Sequence, residues 1–434
     1  MSTLEKNGRE SSLDVTPEAL NEIEREVAKL VSEYFNNISD LPVFPSNHAG
    51  KTTAAITTEL STDGIPLETL ISECRMAMNL SRHNGHPRFF GYVASPSTPV
   101  GAYADLVASA LNSNVTCWRS APAATEIETM VVRWLGQLIG YDNNARGLLT
   151  SGGSMANLIA LLVASRKKDQ ALGRTGLCNS SPLVIYASVE VHMSIAKAAD
   201  IAGLGRDNVH VIACDRNFRM DVSALRARIK EDLDGNCRPF CVVASAGTVA
   251  TGAIDPLDEI GSVASEFGLW FHIDGAYGAP GVLDAETKEL FNGLERADSI
   301  SLDPHKWLYI PVDAGCLLFR DADAARATFS AADADYIKTH GYADDEAFAF
   351  WDYGVELSRR FRALKVWLTL QYYGVRKLAA AISEDIALAH YLANLVDNSD
   401  DFELMAPVTL SICCFRYVPP DVRSRSTALN GDAN

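Results

Sequence analysis

Between residues 86 and 320, short β-rich runs alternate with helical stretches, and this constrains the fold of the 434-residue chain more than anything else in it. The runs fall at 147–150, 183–186, 209–212, 240–244, 270–273 and 299–302, with helical patterns at 155–167, 192–202 and 222–233 between them. Most of the runs are apolar throughout rather than alternating in polarity. Strands of that kind are buried on both faces, as in a mostly parallel sheet with helices on each side. The predicted class is therefore α/β, and ligands in such sheets bind beyond the carboxyl ends of the strands.

The flanking segments are of other kinds. Residues 1–14 read as disordered. Thr16-Pro17 opens a helix, with Thr16 as N-cap and Pro17 in its first turn. Leu20, Ile23, Val27, Leu30, Val31 and Tyr34 form one apolar stripe on it, free to pack on its own domain or on a second subunit. Residues 36–66, rich in Asn, Pro, Ser and Thr, read as an extended connector. Helical patterns return at 361–373 and 376–394, followed by two short β-like runs. The polar stretch from Pro419 leaves the expected small α+β domain incomplete. The expected divisions are 1–85, a helical and extended segment that packs a dimer; 86–350, the large domain; and 351–434, the small one.

Charge and cysteine content exclude several functions. The net charge of −17 is the wrong sign for binding nucleic acid or an anionic membrane. No apolar run reaches 18 residues, and residues 1–12 lack the apolar core of a secretory signal. Nine cysteines, an odd number with no C-x-x-C pair, read as reduced thiols in a cytoplasmic protein. No metal site is expected. Nucleotide motifs fail as well: there is no G-x-G-x-x-G, and Gly50-Lys51-Thr52 lacks the preceding glycine and strand of a P-loop.

Four segments at predicted strand ends can carry chemistry together. Asp303-Pro304-His305-Lys306-Trp307 puts a lysine just past a strand, where its amine can form a Schiff base with an aldehyde cofactor. Asp274-Gly275-Ala276-Tyr277 follows an apolar strand, and a buried carboxylate there can keep a pyridine nitrogen protonated. Thr150-Ser151-Gly152-Gly153-Ser154 runs from strand to helix, giving free backbone N–H groups and a helix dipole for a phosphate. His192 sits at another strand-to-helix junction and can stack on an aromatic ring. Each segment alone also has an ordinary structural explanation. Asp274 and Lys306 are 32 residues apart, read as one strand–helix–strand step.

With these segments the chain resembles the group II pyridoxal-phosphate-dependent amino acid decarboxylases. The resemblance runs from about His86 to Tyr417. It also includes His86-Pro87-Arg88-Phe89-Phe90, the stretch 121–128, and Leu357-Ser358-Arg359-Arg360-Phe361-Arg362. The resemblance implies the type I, aspartate-aminotransferase-like fold, pyridoxal 5'-phosphate as cofactor, and a homodimer. On matching positions it implies that Lys306 holds the cofactor and Asp274 pairs with the ring nitrogen. His192 and Ala276 would cover the two ring faces. Ser151, Gly152, Gly153 and Ser154 would cradle the phosphate, with Thr248 and His305 nearby. Asp303 stands where animal members often have Asn, and a carboxylate is electrostatically unfavourable beside a phosphate.

Residues 336–342 resemble the family's catalytic loop. Tyr336 matches its proton-donating tyrosine, with Tyr342 as the nearby competitor, and Phe at that position marks aldehyde-forming members. Tyr92 and Trp118 match the substrate pocket, and Arg359 matches an arginine near the substrate carboxylate. The expected reaction is decarboxylation of an aromatic L-amino acid to the amine and CO₂. The alternatives are a glutamate or other acidic amino acid decarboxylase, for which Arg119 would supply the extra cation, an aldehyde synthase, and an inactive homologue acting as a binding partner.

Overall fold

The computed structural model describes residues 13–46, 48–93, 95–142, 145–177, 181–330 and 348–419. They form two compact units, 1–92 and 93–434. In the first, helices α1 (Pro17–Asn37), α2 (Ala49–Ile56) and α3 (Leu67–Asn79) follow one another. The Thr16 hydroxyl caps α1 by accepting from the Ala19 N–H at 3.2 Å. Arg75 on α3 pairs with Glu33 on α1 at 2.7 Å. The α2 helix lies within the stretch expected to be an extended connector: 49–56 holds three alanines and no proline, so local propensity suffices for two turns.

The second unit contains, in order, α4 (Pro99–Leu111), α5 (Pro122–Leu138), β1 (Arg146–Thr150), α6 (Gly153–Lys168), α7 (Leu172–Thr175), β2 (Leu183–Ser188), α8 (Ser194–Ile201), β3 (Val209–Ile212), α9 (Val222–Asp234), β4 (Arg238–Ser245), α10 (Leu257–Phe267), β5 (Trp270–Asp274), β6 (Ser299–Leu302), β7 (Gly315–Phe319), α11 (Ala322–Phe329), α12 (Ala363–Asp397), β8 (Phe402–Leu404) and β9 (Phe415–Tyr417). Seven strands make one sheet in the order β1-β7-β6-β5-β4-β2-β3. Its strands are parallel except that β7 runs antiparallel to both neighbours. Every position of β2, β5, β6 and β7 is buried, so helices cover both faces. The α6 helix packs across the middle of the sheet, against β4, β5, β6 and β7.

The six runs read from sequence are all strands of this sheet. The seventh strand, β7, adds an antiparallel insertion that brings its first residue to the ligand-binding edge. The step from Asp274 to Lys306 differs from expectation. Strands β5 and β6 are adjacent and parallel, but their connection holds three short 3₁₀ turns and no α-helix. Gly275, Gly278, Pro280, Gly281 and Gly293 explain this, because glycine and proline within one connection deny a helix its propensity. The long α12 is broken at Gly374, whose φ of 72° is left-handed, between the two helical patterns of the sequence. Beyond it, β8 and β9 pair antiparallel. Among the described residues no helix is long and apolar enough to cross a membrane.

Candidate active site

A cavity of about 320 Å³ opens at the carboxyl edge of the sheet. It is lined by all ten residues that the sequence assigns to a cofactor: Ser151, Gly152, Gly153, Ser154, His192, Thr248, Asp274, Ala276, His305 and Lys306. Topology accounts for the convergence. The ends of β1, β4, β5 and β6 supply the glycine loop, Thr248, Asp274 and Lys306 respectively, and the start of α8 supplies His192.

The glycine loop has steric reasons for its composition. Gly152 sits at φ 153° and ψ 175°, a region that is essentially glycine's alone. At Gly153 a Cβ would lie 2.9 Å from the Ala276 Cβ and 3.1 Å from Asp303 Oδ2. A helix N-terminus kept bare of side chains at Gly152 and Gly153 is a setting suited to a phosphate dianion.

Asp274, 8% exposed, ends β5. It accepts hydrogen bonds from Asn157 Nδ2 at 2.8 Å, the Ala276 N–H at 3.1 Å and Ser301 Oγ at 3.1 Å. Three donors around one carboxylate hold it in fixed orientation. Lys306 Nζ lies 2.9 Å from Asp303 Oδ2. Asp303 is therefore the lysine's ionic partner, and its Oδ1 is buried with no hydrogen-bond partner among the described residues. His305 accepts the Ala314 N–H at Nδ1, 3.0 Å away, and burial lowers its pKa.

Two of the residues expected to meet substrate, Trp118 and Arg359, are not among those lining the cavity. Arg359 is 3% exposed, and its two terminal nitrogens are engaged elsewhere. Its guanidinium donates to the carbonyls of Val115 (3.0 Å) and Leu149 (2.7 Å), pairs with Glu128, and lies 4.2 Å over the Phe350 ring. In this structure the charge of Arg359, expected to receive the substrate carboxylate, faces a buried acid. Trp118 is half-buried and donates its indole N–H to Glu126 at 2.9 Å. Tyr92 belongs to the first unit, where it is 83% exposed and stacks on Phe89. Arg119 is exposed. Tyr336 and Tyr342 lie outside the described residues.

Two residues that sequence reasoning missed support Asp274, Asn157 by a direct hydrogen bond and His272 through Asn157. Asn157 lies one turn past Gly153 on α6, and His272 lies two residues before Asp274 on the same face of β5. The signal was present: each is the polar exception in an apolar stretch, and both are buried.

A fold of this class, with a lysine, an acid and a glycine loop at one edge of its sheet, is that of a type I pyridoxal-phosphate enzyme. The profile described as the pyridoxal-dependent decarboxylase conserved domain matches residues 50–418. The chain belongs to this family, and it is a pyridoxal-phosphate-dependent decarboxylase. It is 36% identical over 417 residues to the aromatic-L-amino-acid decarboxylase of Bacillus atrophaeus, covering 96% of this chain and 85% of that protein. It is 31% identical over 413 residues to a phenylacetaldehyde synthase of a Rosa hybrid cultivar, covering 93% and 80%. The crystal structure of Oryza sativa TDC with PLP and tryptamine superposes with a TM-score of 0.88 at 28% identity, over 94% of this chain and 85% of that one.

The cavity fits pyridoxal phosphate: an amine, a triply hydrogen-bonded acid and a glycine cradle that an added Cβ would fill all border one space.

Proposed function

We propose that this chain decarboxylates an aromatic L-amino acid to its amine. The observation that carries the reading is the charge of the cavity wall. Among the described residues that line it, Lys306 is the only lysine or arginine, and Met155, Val249, Tyr277 and Val312 add apolar surface. An acidic substrate side chain would have no cation of its own there, whereas an aromatic one needs none. Aromatic decarboxylases among the relatives point the same way.

Pyridoxal phosphate, when bound, supplies an aldehyde for amines and a protonated ring that draws electrons from the bond to be broken. In this reading Lys306 Nζ is the amine that holds the cofactor. The Asp274 carboxylate would hold the proton on the ring nitrogen, the amides opening α6 would bind the phosphate, and His192 and Ala276 would cover the ring's two faces. Tyr336 donates the proton to the former α-carbon and keeps the reaction on the amine branch rather than the aldehyde branch. The enzyme works as a homodimer: of α1's apolar stripe only Leu30 is buried within the chain, and Leu20 stays 55% exposed.

The test is a visible absorbance scan of the purified protein, followed by product analysis with Trp, Tyr, Phe, Dopa, His and Glu. Amine from one or more of the first four, without aldehyde or peroxide, is expected. Amine from Glu alone would overturn the substrate class. Aldehyde from the parent enzyme would overturn the role given to Tyr336.

A further inference from the structure

A chain of buried hydrogen bonds passes behind the cavity and ends on the acid. It starts at Trp270, whose indole can only donate, 2.8 Å from Ser299 Oγ. The hydroxyl lies 2.9 Å from His272 Nδ1, placed to give that nitrogen its one proton. His272 is fully buried, and burial pushes its pKa down to about 4, so the ring is neutral; because Asn157 turns Nδ2 to the acid and leaves Oδ1 as acceptor, the ring's proton sits on Nε2. Nε2 donates to Asn157 Oδ1 at 2.9 Å. The amide's Nδ2 donates to Asp274 Oδ2 at 2.8 Å and to Ser194 Oγ at 2.9 Å. The Ser194 hydroxyl then gives its proton to His192 Nδ1 at 2.7 Å, where the Ser194 backbone N–H also donates. With Nδ1 accepting from both, the N–H of the His192 ring is left on Nε2.

We propose that Asn157 and His272 are positioning residues, oriented by the Trp270–Ser299 pair, that aim Asp274 at the cofactor's ring nitrogen and fix the tautomer of His192. The inference rests on the roles given above to Asp274 and His192. The register of the sheet builds the device. Trp270, His272 and Asp274 alternate along β5, so they share one face, and His272 and Asp274 pair with Ser299 and Ser301 on β6. Asn157 joins the strand residues to the α8 junction. An amide turned the other way would set Oδ1 against a carboxylate, acceptor facing acceptor. A histidine with its proton on Nδ1 would permit that turn; the Ser299 hydroxyl opposes it by donating to Nδ1, and the indole supports that donation by occupying one of the hydroxyl's two lone pairs.

The experiment compares pyridoxal phosphate with its 1-deaza analogue, which keeps the aldehyde and phosphate but has carbon in place of the ring nitrogen. Dissociation constants for both are measured by equilibrium dialysis on the parent, Asn157→Leu, Trp270→Phe and Asp274→Asn proteins. Loss of a hydrogen bond to a charged group is expected to weaken pyridoxal phosphate about tenfold in Asn157→Leu, with the analogue unchanged within about twofold. Trp270→Phe, which keeps an aromatic ring in the core, should shift the same ratio in the same direction by a smaller factor, and it carries the test if Asn157→Leu does not fold. Equal weakening of both ligands, or of neither, in a folded variant while Asp274→Asn collapses the ratio would overturn this inference alone. A ratio that Asp274→Asn leaves intact would overturn the role of Asp274, and the inference with it.

Discussion

Replacing Arg359 by Met separates the role its sequence motif suggests from the one its surroundings give it. A substrate-binding arginine, once removed, raises KM and leaves folding alone. The buried pair makes the opposite prediction. Glu128 is fully buried, and its Oε1 is shared between Arg359 and the Leu149 N–H at 2.9 Å. Methionine fills most of the arginine stem's volume but leaves Glu128 with one donor, strips the Val115 and Leu149 carbonyls of theirs, and removes the cation from the Phe350 face. Breaking a buried pair by deleting one partner costs about 3–5 kcal/mol. At about 2.1 cal/mol/K per residue, a unit of roughly 340 residues has an unfolding entropy near 0.7 kcal/mol/K, so the melting temperature should fall by about 4–7 °C. Differential scanning calorimetry of the cofactor-loaded protein measures it. Adding Glu128→Gln to the variant removes the stranded charge and should recover part of the loss. A tenfold rise in KM with the melting temperature unmoved would refute the buried-pair account.

Lys306→Ala should abolish the visible absorbance of the lysine-bound cofactor, and borohydride should then trap no covalent adduct; an adduct on another lysine would refute the assignment. Gly153→Ala puts a methyl 2.9 Å from Ala276 Cβ, so cofactor binding should weaken about tenfold or more while stability falls by only about 1–3 kcal/mol; unchanged cofactor binding would show that the loop yields without cost. His272 has its pKa pushed from 6.5 to about 4, so between those values the unfolded chain binds the extra proton and this group's contribution to stability falls as pH drops, by about 3 kcal/mol in all. Asp255, pushed up to about 6 by burial, has the opposite slope, because there the folded chain holds the extra proton. The stability gap between the parent and His272→Gln should therefore narrow from pH 7 to pH 4.5 in urea titrations, and a gap independent of pH would refute the buried neutral histidine.

The strands and the cofactor wall were legible because both are written locally. A doubly buried strand must be apolar at every position, and a glycine loop, a strand-end acid and a lysine past a strand each announce themselves within a few residues. Arg359 shows where that legibility stops. Its motif sits among Arg360 and Arg362, and nothing local says that Glu128, 231 positions away, will claim its charge. Asn157 and His272 were missed for a related reason. A buried polar residue in an apolar stretch shows that a partner exists, but the partner's identity depends on sheet order and register. The 3₁₀ connection between β5 and β6 was misread because a spacing of 32 residues fits a helix as well as a run of tight turns, and the glycines and proline in it were the finer evidence.

The antiparallel β7 explains how one edge of a parallel sheet can hold both halves of the site. The glycine loop follows β1 and the lysine follows β6, and β7 lies between those strands. A parallel strand there would point its own carboxyl end at the edge and continue outward between the two loops. Running the other way, β7 brings only its first residue, Gly315, to that edge. A Cβ on Gly315 would lie 2.4 Å from the Gly152 Cα, so the absence of a side chain is what lets the glycine loop close over the start of β7. Just before β7, the Ala314 N–H donates to His305 beside the lysine. The reversal of a single strand thus brings the glycine loop and the lysine loop into contact, and any side chain at position 315 would push them apart before it touched the cavity.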